Sequence, residues 1–373
     1  MKTGRKSLII LLNMILVLAL AAQVNQASFI RYNKISTGLF YQTWSSENDD
    51  RVSEWILPIT YILPVNRQLS LDFSNIPTMA SLSGVDKNLS GLTDTRIRFS
   101  YVTMNDKMLI TGGISLPTGK SQLEAQEFNI ASALAINALD FRIPTLGQGL
   151  DLKFSAAFAQ EFGSVVLGGG VGYLSRGAFK PYKGSDLEYN PGDEFTLTLG
   201  MDKNFEMGGN PAKLMADFSY TLYGADKSDN TETFKSGNKL FFEIRSLFKF
   251  NSADMLVFAR NRSKGKNERG LGSLSTESSN SNGNQLDLGT IGYFPLGPTT
   301  RMKGLFDTKI YSKNEYETNG AFVMGIGSGF EFQLSERFVI DTQFKFLKGS
   351  LKNRKSSTGI TGIEAGAFLI LQL

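Results

Sequence analysis

The sequence predicts an all-β protein: a transmembrane antiparallel up-and-down β-barrel of about sixteen strands, or fourteen if one hairpin is rejected. Three observations predict it. In the final stretch, Gly362 to Leu373, the apolar residues Ile363, Ala365, Ala367, Leu369, Leu371 and Leu373 alternate with Glu364, Gly366, Phe368, Ile370 and Gln372. Such strict alternation marks a strand with two different faces. Comparable segments recur down the chain, each near the 9–11 residues a tilted strand needs to cross a bilayer. The links between them alternate between short and long, as they do when turns gather at one rim of a barrel and loops at the other.

The chain opens with Lys2, Arg5 and Lys6, then an apolar run from Leu8 to Ala22 broken mainly by Asn13, with Ala19-Leu20-Ala21 at its end. Basic, apolar and small, in that order, is a secretory signal peptide, which places residues 1–22 in a leader. A run of about 15 residues is short for a membrane-spanning helix, which needs about 20. One domain, residues 23–373, then holds the barrel, after a lead-in from Gln23 to Ser36.

The first segments are Leu39 to Thr43, Val52 to Leu63, Arg67 to Ile76, Thr95 to Thr103 and Lys107 to Leu116. Leu150 to Gln160, Ser164 to Leu174, Glu194 to Lys203 and Ala212 to Tyr223 follow. Then come Lys239 to Phe250, Met255 to Arg262, Gln285 to Phe294 and Arg301 to Tyr311. Ala321 to Gln333, Arg337 to Leu347 and Gly359 to Leu373 complete the set. The faces are distinct: Ile97, Phe99 and Tyr101 alternate with Arg96, Arg98 and Ser100, and Phe242 and Ile244 with Glu243 and Arg245.

A soluble sandwich would alternate too, so the links decide between them. Pro64-Arg67, Asn105-Asp106, Glu161-Gly163, Asn251-Asp254, Pro295-Thr300 and Ser335-Glu336 are short. Ser81 to Asp94, Thr118 to Gly149, Arg176 to Asp193, Gly224 to Asn238, Ser263 to Asn284, Ser312 to Asn319 and Lys348 to Thr358 are longer and polar. The short set reads as periplasmic turns and the long set as external loops. Within Thr118 to Gly149, Ile130, Leu134 and Ala138 recur near helical spacing, so Leu123 to Leu139 reads either as a short helix at the barrel mouth or as a mobile loop. Ser263 to Asn284 is rich in Ser, Asn and Gly, a composition that predicts mobility.

The sequence holds no Cys and no His, which removes disulfides, Cys nucleophiles, Ser-His pairs and the usual zinc ligands. A net charge of +4 permits attraction to anions without demanding it. Gly119-Lys120-Ser121 looks like the end of a phosphate-binding loop, but the first glycine that motif requires falls on Ile114. Gly168-Gly169-Gly170 has no helix after it and reads as strand glycines rather than a dinucleotide fingerprint. Trp44, Trp55, Tyr61, Tyr101, Tyr173 and Tyr220 read as aromatic girdles. No carboxylate pair has a spacing that singles it out for acid–base work, so the chain is expected to be no enzyme, without metal or cofactor.

The expected lumen-lining residues are Arg96, Arg98, Glu243, Arg245, Lys249, Arg301, Lys303, Asp307, Asp341 and Lys345, joined by Lys153, Asp217, Lys309 and Glu364. Both signs occur, so neighbouring strands can pair them in a wet lumen, with a substrate-selective ring as the sharper alternative.

Gly362 to Leu373 resembles the C-terminal strand of bacterial outer-membrane barrels, an assembly signal, except that those usually end in an aromatic residue and this chain ends in Leu373. Gly91-Leu92-Thr93-Asp94, opening a strand, and Leu116-Pro117-Thr118-Gly119, following the next, resemble outer-membrane proteins of the phenol meta-pathway family. That family is similar to the long-chain fatty-acid transporters, although residues 23–36 are too short for their N-terminal plug. The resemblance implies an outer-membrane location in a Gram-negative cell and passive uptake of small hydrophobic molecules. The alternatives are a general diffusion porin for hydrophilic solutes and a structural or adhesive barrel with a closed lumen. The partners it implies are outer-membrane lipid and lipopolysaccharide, the barrel-assembly machinery through the C-terminal strand, and a small-molecule solute, with no nucleic acid.

Overall fold

A computed structural model describes residues 33–48 and 50–373, so the expected leader lies outside the described residues. Sixteen antiparallel strands close on themselves. They are β1 (Lys34–Ser46), β2 (Arg51–Ile56 and Ile59–Pro64), β3 (Leu69–Asn75 and Thr78–Leu82) and β4 (Leu89–Gly91 and Thr95–Thr103). β5 (Met108–Leu116), β6 (Asp151–Phe162), β7 (Val165–Ser175), β8 (Glu194–Met207) and β9 (Asn210–Tyr223) follow. The rest are β10 (Lys239–Lys249), β11 (Asp254–Lys264), β12 (Gln285–Pro295), β13 (Thr300–Tyr311), β14 (Gly320–Ser335), β15 (Phe338–Lys352) and β16 (Ser357–Gln372).

β16 pairs with the whole of β1, from Lys34 opposite Gln372 to Ser46 opposite Ile360, and this seam removes both sheet edges. Leu373 N–H donates to Asn33 C=O at 2.7 Å beyond the last pair. On the apolar outer face Leu152, Phe154, Leu197, Leu199, Ile326 and Phe344 stand exposed, as lipid-facing side chains do. The opposite face carries the buried polar groups, Gln42, Asp72, Glu243, Asp287, Asp341 and Glu364 among them. No helix among the described residues is long and apolar enough to cross a membrane.

Turns at one rim are tight. β8 and β9 are joined by Gly208 and Gly209 alone, with φ of +60° and +78°, the left-handed pair a two-residue hairpin requires. The other rim carries the long links, and three of them hold more structure than their composition suggests. Tyr189–Asn190, Ala225–Ser228, Thr231–Lys235, Glu268–Gly270 and Leu274–Thr276 pair into a separate five-stranded sheet. Within 265–284, expected to be mobile, Asn267 is buried; its N–H donates to Glu277 Oε1 at 2.9 Å and its Nδ2 to Ser281 at 2.8 Å. Asn and Ser side chains there replace backbone pairing, which composition alone reads as disorder.

Strand boundaries near the start also differ from expectation. Residues 81–94 are not one loop, because Leu89–Gly91 pairs with Thr78–Leu82 before the chain reaches Thr95. β2, β3 and β4 are interrupted side by side, at Pro58, at Pro77 and at 92–94. Proline has no N–H for the ladder, so β2 and β3 pause there, and β4 pauses beside them at 92–94. Leu57 N–H to Pro77 C=O at 2.9 Å and Thr93 N–H to Ile76 C=O at 3.2 Å carry the pairing across.

Candidate functional site

Residues 117–150, between β5 and β6, fold into the barrel. The helix α1 (Ala125–Leu134) forms because Ala-rich sequence favours it and Ile130 and Leu134, four apart, share one buried stripe. Glu127 Oε2 accepts the Glu124 N–H at 3.1 Å at the helix start, and its other oxygen pairs with Lys120. Ala138 does not continue the helix. It sits in a 3₁₀ turn, Asn137–Leu139, closed by Asp140 in left-handed conformation (φ +50°), which turns the chain toward the wall. Ile130, Leu134, Leu139, Phe141 and Leu146 pack against Trp44, Val52, Ala80, Leu89, Val323, Leu347 and Ile360. Each such side chain contributes about 1.5–3 kcal/mol, against about 1 kcal/mol for a single hydrogen bond. The apolar face therefore holds the segment on the wall, and the hydrogen bonds set its position.

Those bonds are specific. Leu139 C=O accepts from Gln42 Nε2 at 2.7 Å and from Trp44 Nε1 at 2.8 Å. Glu54, fully buried, accepts the Arg142 and Ile143 N–H groups at 3.0 and 3.1 Å. Asp94 accepts Gly119 N–H at 2.9 Å and Gln148 N–H at 2.7 Å. On β13, further round the same arc, Lys309 pairs with Asp140, and Tyr311 O–H donates to Asn137 C=O at 2.7 Å. The Arg142 guanidinium lies 3.7 Å over the Phe40 ring. The segment thus contacts the long-link ends of β13 to β16 and β1 to β4, and it also meets the 176–193 link, where Leu123 N–H donates to Pro181 C=O at 2.9 Å. Trp44 belongs to this buried contact and not to an aromatic girdle, whereas Trp55 is exposed on the outer face, 4.4 Å from the Tyr41 ring.

Lys309 and Tyr311 fix which face of β13 meets the segment, and Arg301, Lys303 and Asp307 share it by alternation. Arg301 pairs with Glu331, and Lys303 with Asp341. Lys345 bridges Asp307 at 2.9 Å and Glu364 at 3.1 Å. Arg245 pairs with Asp217 at 2.9 Å and touches Glu243 at 3.4 Å, while Arg260 reaches Glu243 at 2.8 Å. Arg98 pairs with Asp72. Neither Arg96 nor Lys249, both exposed, joins an ion pair within 4.0 Å among the described residues.

Lys303–Asp341 and Lys345–Asp307 each pass over β14, whose residues there are Gly325, Gly327 and Gly329. A Cβ at Gly325 would sit 2.8 Å from Asp307 Oδ1 and 2.8 Å from Leu347 Cδ2, so a side chain there would block the crossing.

Sequence reasoning missed Gln42, Glu54, Asp94 and Asp140. Glu54 did leave a signal: it shares a strand face with Val52 and Ile56, and an acid in an apolar stripe needs buried donors. Among the described residues no group of His, Cys, Asp and Glu could hold a metal ion.

No protein-family model and no curated protein matches the chain. Solved structures do. A TodX monoaromatic hydrocarbon channel (deltaS2 mutant) aligns at 8% identity and a TM-score of 0.47, over 92% of this chain and 90% of that one. OprB from Pseudomonas putida aligns at 10% identity and 0.48, over 92% and 96%. A Pseudomonas aeruginosa FadL homologue aligns at 8% identity and 0.44, over 93% and 91%. These values are too low to carry a solute or a site from one chain to another.

Proposed function

We propose that this barrel is an outer-membrane channel for passive diffusion of small hydrophilic solutes, narrowed at its external mouth by residues 117–150. One observation carries the reading: the inner face of β6 to β11, away from the segment's main apolar contacts, is laced with ion pairs and small residues. Charged side chains held in pairs keep a lumen wet, and a dense core would fill it. In this reading Arg96, Arg98, Glu243, Arg245, Lys249, Arg301, Lys303, Asp307, Asp341 and Lys345 line the pathway, those on β13 and β15 between the segment's contacts and the short-turn rim, and the infolded segment sets the width at the mouth.

Uptake of apolar solutes is the second reading, supported by the apolar side of the segment, where Phe141, Ile143 and Leu146 adjoin. Phe141 and Leu146 are buried against the wall, which weakens that support.

Reconstitution into liposomes separates the two. Swelling in small sugars together with steady single-channel current is the expected result. Electrical silence combined with uptake of an alkyl-aromatic probe would replace the first reading with the second.

A further inference from the structure

Along the inner face most cations meet a carboxylate; among the described residues Arg96, Lys153 and Lys249 stand singly without one, and at the outer ends of β10 and β11 three such cations stand together. Lys239 stands directly opposite Lys264 across that strand pair, and Arg262 follows two residues before Lys264 on the same face. All three are half-buried, and none joins an ion pair within 4.0 Å among the described residues.

The carboxylates nearby are already engaged. Glu194 is held by Arg176 at 2.5 Å. Asp287 accepts from Gln285 Nε2 with both oxygens at 2.9 Å, and Gln285 Oε1 accepts from Arg262 at 3.1 Å. Asp140 pairs with Lys309, and Asp226 accepts from Tyr189 O–H and Gly192 N–H at 2.5 and 2.7 Å. Lys239 remains within electrostatic reach of Glu194, whose charge Arg176 already shares, and of the cations Arg262, Lys264 and Arg176.

Like charges placed directly opposite on neighbouring strands destabilise a sheet. A folded wall that keeps three together, with its acids turned to other partners, has a cost that a bound anion would relieve. An aromatic ring adjoins them: Lys264 Nζ lies 5.4 Å from the centre of Tyr223. Phe241 shares the inner face of β10 with Lys239, two residues on.

We propose that Lys239, Arg262 and Lys264 form an anion-binding site at the external mouth, taking small organic carboxylates whose flat apolar body rests on Tyr223 and Phe241. This rests on the channel reading above and names the solute class that the mouth selects.

The test uses the full-length protein in planar bilayers and in detergent, beside the variant Lys239→Gln/Arg262→Gln/Lys264→Gln and the control Lys355→Gln in the 353–356 loop. Under a potassium chloride gradient the native protein and the control should favour chloride. The triple variant should lose at least about fivefold of that preference, since fixed charge in a confined mouth concentrates counter-ions. In detergent, 2-naphthoate should bind the native protein and bind the triple variant at least about tenfold more weakly, as expected when charge-assisted contacts are removed.

Naphthoate binding without any current would keep the site and overturn the channel reading. Current that does not prefer chloride, or naphthoate binding unchanged in the triple variant, would overturn the site. If the triple variant fails to give the heat-modifiable band of a folded barrel, Lys264→Gln alone supplies the same comparison, with a smaller loss expected in both readings.

Discussion

Asp94 accepts the Gly119 backbone N–H through Oδ1 at 2.9 Å and, through Oδ2, the Gln148 N–H at 2.7 Å. One carboxylate therefore grips both legs of the infolded segment where they leave the barrel wall. The contact also explains why Gly91 to Asp94 and Leu116 to Gly119 occur together: Lys120 N–H reaches back to Leu92 C=O at 3.2 Å, so the two motifs form one junction. Asp94→Ala leaves two donors unmet at about 1–3 kcal/mol each. The expected outcome is trypsin cleavage within 117–150 in detergent while the barrel keeps its folded mobility on a gel. Asp94→Asn keeps one good acceptor and should fall between the two.

Gly119 should fail in the same way for a steric reason. A Cβ there would lie 2.4 Å from Leu146 C=O and 2.7 Å from Asp94 N, both backbone atoms that cannot swing aside. Gly119→Ala should therefore loosen the segment at least as much as Asp94→Asn. Equal protease resistance in Gly119→Ala and the native protein would remove the junction from the account.

The Asp140–Lys309 tether should depend on pH. Enclosure by the barrel pushes the Asp140 carboxyl up even though its side chain stays exposed to lumen water, but the Lys309 charge and hydrogen bond, with Arg262 behind them, win and hold it below the usual aspartate value. A group with a lowered native pKa stabilises the fold above its ordinary value of about 3.9 and loses that contribution as pH falls through the native value. Single-channel current should be quiet at neutral pH and grow noisier below about pH 4 as the tether releases. In Asp140→Asn the low-pH noise should already be present at pH 7 and change little on acidification.

The strand plan was readable because alternation and link length are local, and a one-residue slip would have exposed every buried partner. The seam between β16 and β1 follows from the same logic, since the apolar set ending in Leu373 needs lipid on one side and a partner strand at its edge. What could not be read is which residues meet across the lumen. Gln42 and Leu139 are 97 residues apart, and Lys309 and Asp140 are 169 apart, and no periodicity links them. The end of α1 was misjudged because Ala138 keeps the helical spacing while a left-handed Asp140 serves the wall contact instead. The loop sheet was hidden by Asn and Ser residues whose side chains pair with backbone, a use that composition does not distinguish from solvation.

Lys345 should be the most costly of the wall cations to remove. It alone bridges Asp307 and Glu364, and Lys345→Gln would leave half-buried Asp307 and buried Glu364 without their shared cation. Discounted for the water the lumen admits, the loss is about 1–3 kcal/mol. Gly325→Leu should match it by pushing into Asp307 and Leu347. Heat-modifiability on gels reads both: each variant should convert to the unfolded band several degrees below the native protein, and combining them should add little, because they break the same bridge.

The two tryptophans report the two faces of the wall. Trp44 is buried beneath the infolded segment with its Nε1 on Leu139 C=O, while Trp55 is exposed toward lipid beside Tyr41. In bilayers containing brominated acyl chains, Trp55→Phe leaves only Trp44, whose emission should resist quenching. Trp44→Phe leaves only Trp55, which should be quenched strongly at its outer-face position. Removing the Trp44 donor also strips one of the two hydrogen bonds at Leu139, a loss of about 1 kcal/mol that should raise trypsin cleavage in 117–150 slightly. Adding Asp94→Ala to Trp55→Phe should then shift the Trp44 emission to the red as water reaches it. Unchanged emission in that double variant would mean that the segment stays seated without its junction, and the anchoring would have to be assigned to the apolar contacts alone.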